Sequence, residues 1–168
     1  MSLRNVTISA VVVGCAFVTG ALAGCQHQAA EVAAAGGYGL HLIDDGASSK
    51  LAYGQANSDD VGLMLECAKG SGRIEVSDVQ RGDDTTIRLM SGGAATELSA
   101  SEQSFGGLKL LIAETRPSED AFAAFEKTGD LKVQAGGLTY VIDADRRGRE
   151  AVSQFLTACK STQMASID

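Results

Sequence analysis

Few side chains in this sequence could do chemistry, and their spacing limits what each can do. The two histidines are His27 and His41, and His41 lies between Leu40 and Leu42 in an apolar run, the setting of a packed or solvated strand histidine. A serine nucleophile needs a base oriented by an acid and a sharp turn of the G-x-S-x-G kind, and that motif is absent from the sequence. Carboxylates occur as the pairs Asp44-Asp45, Asp59-Asp60 and Asp83-Asp84. Glycoside hydrolysis would need two carboxylates across a cleft lined by aromatics. Aromatic residues are only 5% of the chain and none is Trp, so the pairs read as turn formers. Asp143, Asp145 and Gly148 match positions one, three and six of a calcium loop. Arg147 and Gln154 stand at positions five and twelve, where oxygen ligands are wanted, so the stretch reads as a strand end and a helix cap. Gly70-Ser71-Gly72 lacks the spacing of a phosphate loop. No metal and no cofactor is expected.

The one dense basic spot is Arg146, Arg147 and Arg149. It is the candidate contact for an acidic partner or a phosphate-bearing glycolipid, although Asp143, Asp145 and Glu150 largely neutralise it. The whole chain of 168 residues carries a net charge of −7, with 14 Lys and Arg against 21 Asp and Glu. Nucleic acid is therefore not an expected partner, because phosphate binding needs clustered cations over a broad surface. The length suits one domain with a real core.

The amino terminus changes this arithmetic. Arg4 is followed by an uncharged, mostly apolar stretch from Val6 to Ala23. A basic start, an apolar run and a small-residue cleavage zone make a secretory signal peptide. Thr7, Ser9, Gly14, Thr19 and Gly20 dilute the run too much for a good membrane-spanning helix. Leu22-Ala23-Gly24-Cys25 resembles the bacterial lipobox. That resemblance implies diacylglycerol on the Cys25 sulfur, cleavage of residues 1–24 and acylation (palmitate) of the new amino group. Several acyl chains anchor a protein stably where one is marginal. Gln26 follows the cysteine, which by likeness to enteric lipoproteins implies outer-membrane delivery, facing the periplasm. Cleavage would leave 144 residues, all 21 acids and, without Arg4, 13 bases, for a net charge of −8. Such a body is repelled by anionic head groups, so its expected membrane link is the lipid itself. Residues 25–37 read as a flexible tether, rich in Ala and Gly.

Of the four cysteines, Cys15 falls in the leader and Cys25 in the lipobox, which leaves Cys67 and Cys159. In an oxidising compartment they are expected to form one disulfide. Two buried free thiols remain an alternative, whereas a metal site is poor because neither has a second Cys or His at ligand spacing. Val61, Leu63, Leu65 and Cys67 alternate and put Cys67 on the inner face of a strand. Val152, Phe155, Leu156 and Cys159 fall on one helical face.

Elements must position these residues. Short apolar runs separated by turn clusters predict seven to nine strands: 38–43, 50–55, 61–68, 73–79, 85–90, 95–100, 108–114, 131–134 and 138–143. Ser118 is the expected cap of a short helix carrying Phe122 and Phe125 and stopped by Gly129. Asp145 is the expected cap of a final helix from Arg146 to about Lys160. The predicted fold is mainly β with late helices (α+β): an antiparallel β-sandwich or partly open barrel over residues 38–161, with a C-terminal helix stapled by the disulfide and a frayed tail at 162–168.

The segment KLAYGQANSDDVGLMLECAKGSGRIEVSDV and the ending AVSQFLTACK resemble a group of small uncharacterised exported proteins of alphaproteobacteria. The shared pattern is Leu65-Glu66-Cys67 closing a strand and Phe155 to Cys159 closing a helix. A looser likeness in layout is to periplasmic proteins of the invasion-associated-protein-B and type VI secretion-associated kinds. These resemblances imply fold and no functional residue. The expected function is a membrane-tethered, non-catalytic binding or scaffolding component of the cell envelope, possessing an envelope protein as partner. The alternative is an inhibitor of a secreted hydrolase such as lysozyme, and an enzyme is the third reading.

Overall fold

The computed structural model describes residues 37–160. The expected leader, the lipobox Leu22-Ala23-Gly24-Cys25, nearly all of the tether and the tail lie outside the described residues. Ten strands and two helices follow in the order β1 Tyr38–Asp44, β2 Ser48–Gln55, β3 Val61–Ala68, β4 Ile74–Val79, β5 Thr86–Ser91, β6 Ala94–Ser99, β7 Ser101–Phe105, β8 Leu108–Thr115, α1 Asp120–Thr128, β9 Asp130–Ala135, β10 Leu138–Asp143 and α2 Arg146–Cys159. Two antiparallel sheets result, a six-stranded one in the order β1-β2-β3-β4-β8-β7 and a four-stranded one in the order β10-β9-β5-β6. Neither closes on itself, so the fold is the predicted mainly-β architecture in its open form.

Alternation sets the inner faces. Leu63, Leu65 and Cys67 of β3 are buried, as are Ile74, Val76 and Asp78 of β4, and Leu131, Val133 and Ala135 of β9. A period of two puts such residues on one side of a pleated strand, where the two sheets and the helices cover them. The chain passes from one sheet to the other with the single residue Ala100 between β6 and β7, making a corner held by Ala100 N–H donating to the Thr85 carbonyl. Among the described residues no helix is long and apolar enough to cross a membrane.

Three sequence expectations change. The strand β7 was not expected, because every one of its residues is exposed and its sequence does not alternate. It forms by pairing on β8 through the two-residue turn Gly106-Gly107, both at positive φ. Ser118 is not the cap of α1. Glu119 occupies that position without a side-chain cap bond, and its backbone carbonyl accepts from the N–H groups of Phe122 and Ala123. The count of strands is ten, one above the expected range.

The last helix is built as its pattern implies. Asp145 Oδ1 accepts from the Gly148 N–H at 2.8 Å, and Val152, Phe155, Leu156 and Cys159 are buried. The helix packs on β1, β2 and α1. Cys159 is bonded to Cys67 of β3, with the two Cα atoms 5.7 Å apart. The staple therefore joins the closing helix to the six-stranded sheet, as expected. Ser153 Oγ donates to Glu126 Oε1 at 2.6 Å and fastens the helices to one another.

Candidate functional site

Two places on the described domain carry chemistry that apolar packing does not explain, and they sit at opposite ends of the six-stranded sheet. Strand directions define the ends. Tyr38, Gln55, Val79 and the β7–β8 turn lie at one end, where the chain enters β1, and Asp44, Ala68, Ile74 and Thr115 lie at the other.

At the entry end the chain's three tyrosines come together. Tyr38 and Tyr53 meet at tilted rings 5.4 Å apart, and Tyr53 stacks on Tyr140 at 6.1 Å. Offset and stacked aromatics of this kind attract beyond their burial. Tyr140 reaches across from the four-stranded sheet, and its hydroxyl donates to Asp78 Oδ2 at 2.5 Å. Asp78 is on the inner face of β4 and only 5% exposed. Burial pushes its carboxyl above the usual carboxylate range, and the Tyr140 bond partly opposes that rise. The Tyr140 phenol is pushed well up by burial and by the Asp78 charge, so it is a neutral donor. Gln80, next on the same face, has a buried Oε1 with no partner among the described residues. The signal for this cluster was the alternation Ile74, Val76, Asp78, which aims an acid at the core.

At the far end a groove of about 510 Å³ opens between β6 and β8. Its charged lining is Arg73, Glu97, Glu114, Arg116 and Glu119, with Thr115 on its floor. Arg73 is paired with Glu114, while Arg116 makes no ion pair among the described residues. Thr115 is buried, and its hydroxyl, shut off from solvent, has no hydrogen-bond partner among the described residues. A buried hydroxyl without a partner costs free energy unless something supplies one. The groove itself is open and sets fixed charges of both signs around its space. No local motif announces it, because its walls come from strands of two different sheets.

The residues singled out in the sequence fall as follows. The disulfide Cys67–Cys159 is formed and lies within the core, away from the groove residues that carry charge. Arg146, Arg147 and Arg149 are all exposed, and Arg149 Nη1 donates to the Ala144 carbonyl at 3.1 Å. His41 Nε2 is 3.2 Å from the Gly54 carbonyl, across the β1–β2 pair, as a packed strand histidine would be. The acidic pairs do make turns. Asp44 accepts from the Gly46 N–H, Asp45 from the Ser48 N–H and hydroxyl, and Asp84 from the Thr86 N–H and hydroxyl. The Lys69 ammonium and the Gly46 N–H hold the Asp44 carboxyl below the usual range. The Ser48 hydroxyl and N–H do the same for Asp45. Compared with known proteins, the chain matches no family model, no curated protein and no solved structure.

Proposed function

We propose that this protein is a lipid-tethered envelope component that works by binding, held at the outer membrane through Cys25 and presenting the β6–β8 groove to a polar segment of a periplasmic protein. The observation that carries this reading is the groove itself, open and lined by charged side chains of both signs. Its place supports the tether: it lies at the end of the six-stranded sheet opposite Tyr38, where the chain arrives from Cys25. Attachment through the entry end leaves the groove, at the opposite end, free for a partner. The lipobox pattern and the acidic body support attachment through lipid over attachment through charge. A hydrolase inhibitor has less support, because it needs a protruding loop with a polar or basic key, and the protruding hairpin here ends in Phe105 and Leu108.

The test is site-specific photo-crosslinking in living cells. A photoreactive residue at Arg116 or Thr96 should give one discrete adduct with an envelope protein, and one at Val141, on the far side of the four-stranded sheet, should not. Adducts from Val141 alone, or none from the groove, would overturn the reading. A secreted hydrolase as the captured protein would favour the inhibitor instead.

A further inference from the structure

The entry end of the domain is apolar where it need not be. Phe105 is 76% exposed and Leu108 57%, and they face each other across the Gly106-Gly107 turn at the tip of the β7–β8 hairpin. Tyr38, 45% exposed, begins β1 at that same end. Leu138, 37% exposed, follows the β9–β10 turn, whose Gly136 carbonyl accepts from the Arg81 N–H just beyond β4. Four of the six large apolar side chains exposed on the described domain are therefore at one end. Behind the tip, Leu110 and Ile112 continue the same face of β8 half-buried. The turn glycines hold positive φ in open space, so the tip is a tight hairpin that no other described residue covers.

The geometry points to a lipid surface as what this end meets: the β7–β8 tip dips Phe105 and Leu108 into the membrane to which Cys25 ties the chain. This rests on the anchor reading above and gives it an orientation. Cys25 precedes Tyr38 by 13 residues, a reach of at most about 45 Å, and the chain enters the domain at the tip's own end. Tyrosine at the rim fits the boundary between acyl chains and head groups, where an apolar ring and a polar hydroxyl are both satisfied. Charge then selects the lipid. Asp59, Asp60, Asp83 and Asp84 are exposed in the loops at this end and outnumber its exposed cations, Arg81 and the Glu102-paired Lys109, so an anionic surface would be repelled and a zwitterionic one would not.

Tryptophan fluorescence tests this, because the chain has no Trp of its own. Phe105→Trp puts a single reporter at the tip, and Ile43→Trp puts one on exposed β1 at the far end. Each full chain is exported, its lipid label measured, and the protein reconstituted on phosphatidylcholine vesicles with brominated acyl chains. Emission from Phe105→Trp should shift to the blue and be quenched by bromine, and emission from Ile43→Trp should do neither. Adding phosphatidylglycerol should weaken the quenching at position 105. A lipid-labelled chain whose Phe105→Trp emission is no more quenched than that of Ile43→Trp overturns the inference and leaves the anchor standing. Loss of the lipid label at wild-type Cys25 overturns the anchor, on a separate readout. An adduct from a photoreactive residue at position 105 to a protein, without quenching, assigns the tip to a protein partner and also overturns it.

Discussion

Replacing Tyr140 by Phe keeps the ring that stacks on Tyr53 and removes only the hydroxyl that donates to Asp78 at 2.5 Å. Asp78 then holds a buried carboxylate with its side-chain donor gone. A hydrogen bond to a charged group contributes about 1.5–3 kcal/mol, and stranding the buried partner sets the loss at the upper part of that range. The loss should depend on pH, and its sign follows from the direction of the Asp78 shift. Burial holds the folded carboxyl above its unfolded value, so the folded state binds more protons between the two, and Asp78 makes the protein less stable as pH rises through that window. The Tyr140 bond works against that rise, and Tyr140→Phe removes the opposition. The deficit should therefore be about 2–3 kcal/mol above the Asp78 titration and fall to about 1 kcal/mol once Asp78 is protonated. Urea denaturation in steps from pH 8 to pH 4, with the disulfide intact, measures it. At neutral pH the same deficit is roughly a 10 °C fall in Tm for a domain of this size. Adding Asp78→Asn should recover most of it, since no charge is then left buried. A deficit that is constant across pH, or that grows toward acid, would refute the reasoning.

Other perturbations have sharper outcomes. Cys67→Ser with Cys159→Ser opens a loop of 92 residues, and by the chain-entropy argument should cost about 4–5 kcal/mol in urea denaturation. In the wild type both thiols should resist alkylation until reductant is added. Cys25→Ser should abolish lipid labelling and membrane fractionation, and unchanged membrane association would sink the lipoprotein reading. Asp145→Ala removes the acceptor for the Gly148 N–H and should cost about 1 kcal/mol, read as a shift of the urea midpoint without change of slope. Gly136→Ala asks for a side chain at φ +55°, with its Cβ 2.9 Å from the Gln80 Cα. It should cost about 2 kcal/mol or more, since the left-handed conformation alone costs 1–2, and a variant as stable as wild type would contradict the close approach of this turn to β4.

What could be read from the sequence was what repeats locally. The alternation of Val61, Leu63, Leu65 and Cys67 and the helical face from Val152 to Cys159 each specify a side, and two inward-facing cysteines then have few partners. Asp145 is legible because its cap bond spans three residues. β7 was not, because SEQSF has no apolar side and is ordered only by its neighbour. The one local signal was Gly106-Gly107, a hairpin turn that pairs Phe105 with Leu108. Ser118 fits the cap rule but is displaced by one residue, in a segment where the buried Pro117 follows Arg116 and the Glu119 N–H donates to the Arg116 carbonyl. The Asp78–Tyr140 pair spans 62 residues and two sheets, so only half of it was visible, as an acid on an inward parity. The groove belongs to no single segment and was invisible.

The staple between β3 and α2 also orders events in time. α2 packs on β1 and β2, so the last described helix covers the first described strands. During synthesis the six-stranded sheet waits for its lid until the chain has reached residue 159. A product cut before Arg146 keeps Cys67 as an unpaired thiol and leaves the inner side of β1 and β2 bare. Such a fragment is a ready substrate for proteases and for mixed disulfides. Closing the fold with α2 thus makes synthesis through Cys159 a condition of reaching the native state.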